Sequence, residues 1–356
     1  MPDPAEAFRL SVVIPNRNRS VVLHRAVLSV LRQARGGEAE IVVVDDASTA
    51  DLSRDYDRLA RRGVRIVRLE TRRGGSHARN AGVDAATGTH VAFLDSDDLW
   101  LPGRLERIAA HADRLEGRAL LSGVMIHQWD EIATFDQPPW PEGVSPADFI
   151  YRDGGRLQTS MLALPIEIAR AHRFREDLRV NQDSDYALRL HDAGVGFVLD
   201  PVPGVIKDES DGDDRLSLDP ATADLSLAWF RSVSGTWSPA AVRGYHLRDR
   251  VWRLANSGRR AEALAALGRA NLPPLEPLGS LRIAAEVLLG RAAYARARQA
   301  FRARVPKART VGSEHPALRW FRELDAEARR EAGAEASGPD GGLAAPHVAS
   351  EAAWRV

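Results

Sequence analysis

The residues best placed for chemistry are Asp95, Asp97 and Asp98, in the segment His90-Val91-Ala92-Phe93-Leu94-Asp95-Ser96-Asp97-Asp98-Leu99-Trp100. An apolar run passes directly into three carboxylates. Such a run predicts a buried parallel strand. The carboxyl end of that strand would open on the crevice where α/β sheets bind ligands. Carboxylates this close repel one another and need a counter-charge. A hard divalent cation meets that need, with nucleotide phosphates completing its oxygen shell. The plainer reading is an acidic turn in which Asp98 caps the next helix.

The elements that must position these residues are legible in the first third of the chain. Residues 10–14 are a β-branched run stopped by Pro15. Val21–Leu31 repeats apolar residues at helical spacing, with Ser20 placed to cap it. A second buried strand, 41–44, ends in Asp45-Asp46-Ala47-Ser48. A surface helix over 51–62 and a third strand over 64–69 follow. Gly74-Gly75-Ser76 forms a loop before a helix over 77–86, Gly88 breaks that helix, and 90–94 is the fourth strand. This alternation predicts a mostly parallel, doubly wound α/β sheet. The turn after the first strand reads Pro15-Asn16-Arg17-Asn18-Arg19, so the dinucleotide-type glycine signature is absent. In a parallel sheet Asn16, Arg17, Asp45, Asp46, Asp95 and Asp97 share one edge. Arg79 stands on the opening turn of a helix. Acids at several strand ends plus an arginine fit a nucleotide diphosphate: one carboxylate can hold base or ribose, another a metal on the phosphates.

Farther along, residues 102–115 predict a helix, 119–126 and 158–164 strands, and 197–199 and 204–206 short strands. A Pro-rich loop over 136–146, flanked by Trp129 and Trp140, could line an acceptor site, because sugar faces stack on aromatics. Gln182–Asp192 is a helix ended by Gly194. The acidic run 208–214 is either a mobile lid or a solvated loop. From 218 onward the pattern is helical with no strand, and 333–356, rich in Ala, Gly, Ser and Pro, predicts a disordered tail.

Composition narrows the class. The 356 residues carry 49 basic and 49 acidic side chains, so nothing global suggests a nucleic-acid partner. There is no cysteine, which excludes disulfides, thiolate metal sites and a cysteine nucleophile. The first residues have neither the basic end nor the apolar core of a signal peptide. No apolar stretch is long enough to span a bilayer. The expectation is a cytoplasmic protein.

Four blocks together carry a resemblance: Ser11-Val-Val-Ile-Pro15, Glu40-Ile-Val-Val-Val-Asp-Asp-Ala-Ser48, Ser76-His-Ala-Arg-Asn-Ala-Gly82 and Val91-Ala-Phe-Leu-Asp-Ser-Asp-Asp-Leu-Trp100. In order and spacing they resemble glycosyltransferase family 2, specifically over about 115 residues and more weakly to about 206. The resemblance implies a GT-A fold and an inverting transferase using a nucleotide-diphospho-sugar (UDP-, GDP- or dTDP-linked) and an acceptor hydroxyl, in bacterial polysaccharide, glycolipid or glycoconjugate synthesis. It implies that Pro15, Asn16, Arg17 and Ser96 border the nucleotide, that Asp46 or Asp45 and Arg79 contact the base, and that Asp95 reaches the ribose. Asp97, in the Asp-x-Asp motif, would bind Mn²⁺ or Mg²⁺ on the pyrophosphate. It divides the chain into a catalytic domain over 1–216 (donor half 8–115, acceptor half 116–216) and a helical region over 217–332.

Inverting transfer needs a general base on the acceptor hydroxyl. The family usually places it in a Glu-Asp pair opening a helix. Here the match is Gln182-Asp183, with Gln where the family has Glu, so Asp183 is the candidate base and Asp185 the runner-up. Either could instead favour a helix start electrostatically. Relatives carry a basic residue near 207, and Lys207 is the cation there. Residues 291–309 hold seven cations and no acid after an apolar stretch over 281–289. The expectation is a helix docked on the catalytic domain. The alternative is peripheral membrane contact through 281–309, at the inner face of the cell membrane. The family's processive synthases carry Gln-x-x-Arg-Trp and membrane helices; neither occurs here, which implies addition of one sugar. Competing readings are a sugar-phosphate nucleotidyltransferase and a non-catalytic sugar-nucleotide-binding protein.

Overall fold

Apolar, β-branched runs form the strands β1 (Leu10–Asn16), β2 (Ala39–Asp45), β3 (Arg65–Arg68) and β4 (His90–Phe93) of a computed structural model. The structure describes residues 8–34, 38–112, 115, 117–128, 131–209, 219–269, 310–311 and 315–333. These strands pair in parallel in the order β3-β2-β1-β4. The helices α1 (Val21–Leu31), α2 (Ser53–Ala60) and α3 (Gly75–Ala85) connect them. All carboxyl ends therefore fall on one edge. Helix α3 lies close on β1 because Gly82 has no side chain: a Cβ there would stand 2.2 Å from Val13 Cγ1.

Beyond β4 the sheet turns antiparallel. β8 (Leu162–Pro165) pairs with β4, β6 (Ala119–Gln128) with β8, and β7 (Glu131–Phe135) with β6. Two short expected strands are instead one strand, β9 (Phe197–Asp208), parallel to β6 with register shifts at Gly123. Gly123 makes room for the proline-bearing bulge, since a Cβ there would meet the Pro201 carbonyl at 2.4 Å. β5 (Leu99–Trp100) pairs antiparallel with β9. Between β4 and β9 lie α4 (Arg104–Ala112), α5 (Ile166–Ala171) and α6 (Gln182–Asp192), the last with the bounds expected from its periodicity.

The helices α7 (Thr222–Val233), α8 (Pro239–Tyr245), α9 (Val251–Asn256) and α10 (Arg260–Arg269) follow. An aromatic cluster, with Phe230 and Tyr245 stacked at 4.0 Å, joins α7 and α8 to Tyr151, and Val251, Leu254 and Ala263 pack α9 and α10 on Ala223 of α7. The expectation of no strand after 218 is corrected by β10 (Thr310–Val311), which pairs antiparallel with β7. Two residues are too short to leave a periodic signal. Helix α11 (Pro316–Glu331) then packs on α1. Ser20 does not cap α1; its hydroxyl donates to Asp55 on α2 at 2.9 Å, so the side chain is spent on tying two helices. The basic segment 291–309, the acidic run from 210 to 214 and the expected tail beyond 333 lie outside the described residues. Among the described residues no helix is long and apolar enough to cross a membrane.

Candidate active site

The ends of β1 and β2 meet in register at Asn16 and Asp45. Asn16 donates to the Arg19 carbonyl and to the Tyr56 hydroxyl, at 3.0 and 3.2 Å. Its Oδ1, and Nε of Arg17, are buried without a hydrogen-bond partner among the described residues. Pro15 is half-buried within β1. Asp45 accepts from the Ser48 amide at 3.0 Å and faces Arg68 at 3.6 Å. Asp46 accepts from the amides of Arg73 and Gly74, at 2.7 and 2.8 Å. It thereby fixes the loop that opens α3, where Gly74 adopts the left-handed φ of 93°. Orphaned polar atoms and clamped carboxylates at one sheet edge leave hydrogen-bonding capacity for a ligand.

A second group gathers at the end of β4. Arg79 Nη2 donates to Asp95 at 2.5 Å, and its Nη1 to the Gln182 side-chain carbonyl at 3.0 Å. Sequence reading left Gln182 as a departure from pattern; here it is the acceptor that ties α3 to α6. Burial raises the Asp95 carboxyl, but the Arg79 guanidinium outweighs it and holds the acid below its usual range. Asp97 pairs with Arg19 at 3.0 Å, with both side chains about one-third exposed. Arg19 also donates to Ser96 Oγ at 3.3 Å. Asp98 caps no helix. It is buried, accepts from Ser160 Oγ at 2.6 Å and from the Asp208 amide at 3.3 Å, and burial pushes it up to about 7. Burial alone would lower the Lys207 ammonium, but Asp98, Asp95 and Asp97 raise it.

These pairs answer the repulsion between the clustered acids. Arg19, Arg79 and Lys207 supply counter-charge from the chain itself. Among the described residues no group of three or more His, Asp or Glu could cage a metal. The carboxylates of Asp95 and Asp97, each about one-third exposed, do fit a hard cation that takes one or two protein ligands and completes its shell with phosphate.

The cleft beside this group has a volume of about 200 Å³. Arg79 and Asp95 line one part of it. Asn181, Gln182 and Asp183 at the start of α6 line another, together with Arg179 and Arg253. Asn181 sits in the left-handed region at φ 58°, which asparagine tolerates, and its Oδ1 is buried without a partner among the described residues. Burial raises the Asp183 carboxyl, against a hydrogen bond from the Ser184 amide at 3.0 Å. Asp185 is different. It is fully buried and accepts from Trp229 Nε1 at 3.0 Å and from Arg189 at 2.8 Å, with Arg175 at 3.5 Å. Asp185 does not line the cleft; it anchors α6 to α7.

Sequence reasoning missed Arg19, Ser160 and Arg253. Arg19 stood in the first turn, but nothing in its spacing tied it to Asp97. Arg253 comes from α9, a region read as helical without function. The two aromatics considered for an acceptor site fare differently. Trp140 stacks between Phe149 and Phe197, at 4.1 and 4.6 Å, as part of the core, and Trp129 lies outside the described residues. Trp100 is fully buried.

A parallel nucleotide-binding half joined to an antiparallel half, with acids at the β4 end, defines the GT-A class of glycosyltransferase folds. Two solved structures share it. The chain is similar to S. aureus TarS 1-349 in complex with UDP-GlcNAc, with a TM-score of 0.52, 16% identity, and 90% of this chain and 92% of that one covered. It is similar to the mannosyltransferase PcManGT from Pyrobaculum calidifontis in complex with GDP-Man and Mn²⁺, with a TM-score of 0.51, 20% identity, and 94% and 88% covered. Residues 11–161 match the family model "Glycosyl transferase family 2". The chain is 32% identical over 202 residues to the amylovoran biosynthesis glycosyltransferase AmsB of Erwinia amylovora, covering 53% of this chain and 66% of that protein. It spans about a third of other curated relatives it matches, between 30% and 39% of their length. Over the matched residues the chain resembles glycosyl transferase family 2 and the curated glycosyltransferases that match it.

Proposed function

We propose that this protein is an inverting, divalent-cation-dependent glycosyltransferase that moves one sugar from a nucleotide-diphospho-sugar to an acceptor hydroxyl. Bacterial polysaccharide or glycolipid synthesis is its setting. The observation that carries this reading is one cleft lined by both the donor-side pair Arg79–Asp95 and the candidate base Asp183. Transfer with inversion needs those two functions on opposite faces of one sugar.

In this reading the orphaned Asn16 Oδ1, with Asp45 or Asp46, Pro15 and Arg17, borders the nucleotide. Asp95 takes the ribose, and Asp97 with Ser96 faces the pyrophosphate. A bound Mn²⁺ or Mg²⁺ would neutralise charge on the leaving diphosphate. Arg19 and Lys207, already beside the acids, supply further positive charge for the same leaving group. Asp183 takes the proton from the acceptor oxygen as that oxygen attacks the anomeric carbon. The catalytic unit is residues 1–216, and the helical region after it contributes Arg253 to the cleft wall. The protein works in the cytoplasm, at the inner membrane face if its acceptor is lipid-borne.

Incubation with Mn²⁺ and a panel of UDP-, GDP- and dTDP-sugars tests the reading. Slow release of nucleoside diphosphate from one donor, dependent on the cation and abolished in Asp97→Asn, is the expected result. Release of pyrophosphate from a sugar phosphate and a nucleoside triphosphate, or binding without turnover, would overturn it.

A further inference from the structure

Arg25, on α1, has no place in the mechanism above, yet it is buried and engages four groups. Its side chain is 3% exposed. Nη2 donates to the backbone carbonyl of Asp97 at 3.0 Å and to Asp208 at 2.6 Å. Nη1 donates to Asp325, on α11, at 3.2 Å. Its guanidinium lies 4.4 Å over the ring of Phe321, also on α11. The other face of the network closes through β6: His127 stacks on Phe321 at 3.8 Å and bonds to Asp208 at 2.9 Å.

A second tie runs from the same helix to the same turn. Trp320 Nε1 donates to the Trp100 carbonyl at 2.9 Å. Around both ties, Leu318, Phe321 and Leu324 of α11 close a buried apolar cluster with Leu99, Leu101 and Ile206. The chain from Asp97 to Leu101 and the end of β9 that bears Lys207 and Asp208 are thus both held from beneath by a helix that lies far from each of them in sequence. A buried guanidinium shared among two carboxylates and a carbonyl is geometrically demanding, because its donors form a rigid fork.

We propose that Arg25 and α11 are positioning elements for the Asp97 turn: the helix fixes the peptide that aims the Asp97 carboxylate and the strand end that carries Lys207. The inference rests on the reading of Asp97 as the residue facing a phosphate-bound cation. Asp98, Leu99, Trp100 and Leu101 are buried, whereas the Asp97 side chain is about one-third exposed and pairs with Arg19. The aim of that one carboxylate follows the backbone that carries it, which the packing and the ties under the turn hold in place.

Two conservative changes on α11, Asp325→Asn and Trp320→Phe, remove the ties without unpairing a buried charge fully, since Arg25 keeps Asp208. Arg330→Gln is the control, as Arg330 is an exposed side chain near the far end of the same helix. Amide hydrogen exchange in the full chain is the first readout. The double variant should exchange about ten-fold faster or more at 97–101 and 205–208, with 10–16 unchanged and the control like the wild type. Calorimetry with UDP, with GDP and with dTDP, each with and without Mn²⁺, is the second. The gain in nucleotide affinity that Mn²⁺ brings should shrink several-fold in the double variant while metal-free affinity holds. Unchanged exchange at 97–101, with α11 itself exchanging faster, would overturn the inference. So would faster exchange there with the Mn²⁺-dependent gain intact. If none of the three nucleotides binds the wild type, the proposed function fails, and the exchange result still decides the coupling.

Discussion

Arg79 bridges Asp95 at 2.5 Å and Gln182 at 3.0 Å, so one guanidinium links the end of β4 to the first residue of the helix that carries Asp183. Donor side and base side are thereby held in one frame. Replacing Arg79 with Met should weaken nucleoside diphosphate binding by about 1.5–3 kcal/mol, the size of a charged hydrogen bond. Calorimetry checks it; unchanged affinity would remove Arg79 from the donor site.

Asp97 and Arg19 form a pair about one-third exposed, and such partly exposed pairs contribute about 0–1 kcal/mol to stability. Asp97→Asn should therefore leave thermal unfolding nearly unchanged. Cation-dependent donor hydrolysis should be lost. A variant that keeps wild-type turnover with Mn²⁺ or Mg²⁺ contradicts the role given to Asp97.

Asp185 should respond in the opposite way. Its carboxylate is buried among Trp229, Arg189 and Arg175. Asp185→Asn breaks charge-assisted bonds in the interior and should cost about 1–3 kcal/mol. A chain of this size then melts several degrees lower, with donor affinity retained. Differential scanning calorimetry separates this from a catalytic effect.

The pH dependence follows from Asp183. Burial holds its carboxyl above the ordinary aspartate value in the folded state. A general base acts when ionised, so the acidic limb of kcat should fall at a pH above that of an ordinary aspartate. The stability sign is the reverse. A folded pKa above the unfolded one adds stability below the unfolded value, and that contribution is lost as pH rises through the folded value. At neutral pH the ionised Asp183 thus opposes folding, and Asp183→Asn should melt at or above the wild-type temperature. An acidic limb unchanged in Asp183→Asn would contradict the assignment.

Much of the donor half was legible because β1, β2 and β4 are buried on both faces and read as continuous apolar runs ending in polar residues. The helix Gln182–Asp192 was legible from its periodicity. What the sequence concealed are relationships set by tertiary packing. The bulge in β9 depends on space left by Gly123, so the strand read as two. Ser20 carried a capping residue's chemistry, but Asp55 lay within reach and took its hydroxyl. The two residues of β10 pair with β7 but are too few to show a period. The clustered acids asked for counter-charge, and a cation was the answer the sequence offered. Arg19, Arg79 and Lys207 also supply it, from three separate elements that no linear spacing connects.

Asp183→Asn tests most directly whether Asp183 acts on the acceptor. The change removes a proton acceptor and nearly preserves shape. With the donor identified from the panel, calorimetry should give donor affinity close to wild type. Sugar transfer should fall by roughly two to four orders of magnitude, the size of a general-base contribution. Asp185→Asn, measured beside it, should retain transfer once its lower melting temperature is allowed for. Wild-type transfer in Asp183→Asn would contradict the account, and a dead Asp185→Asn beside it would move the base two residues along α6.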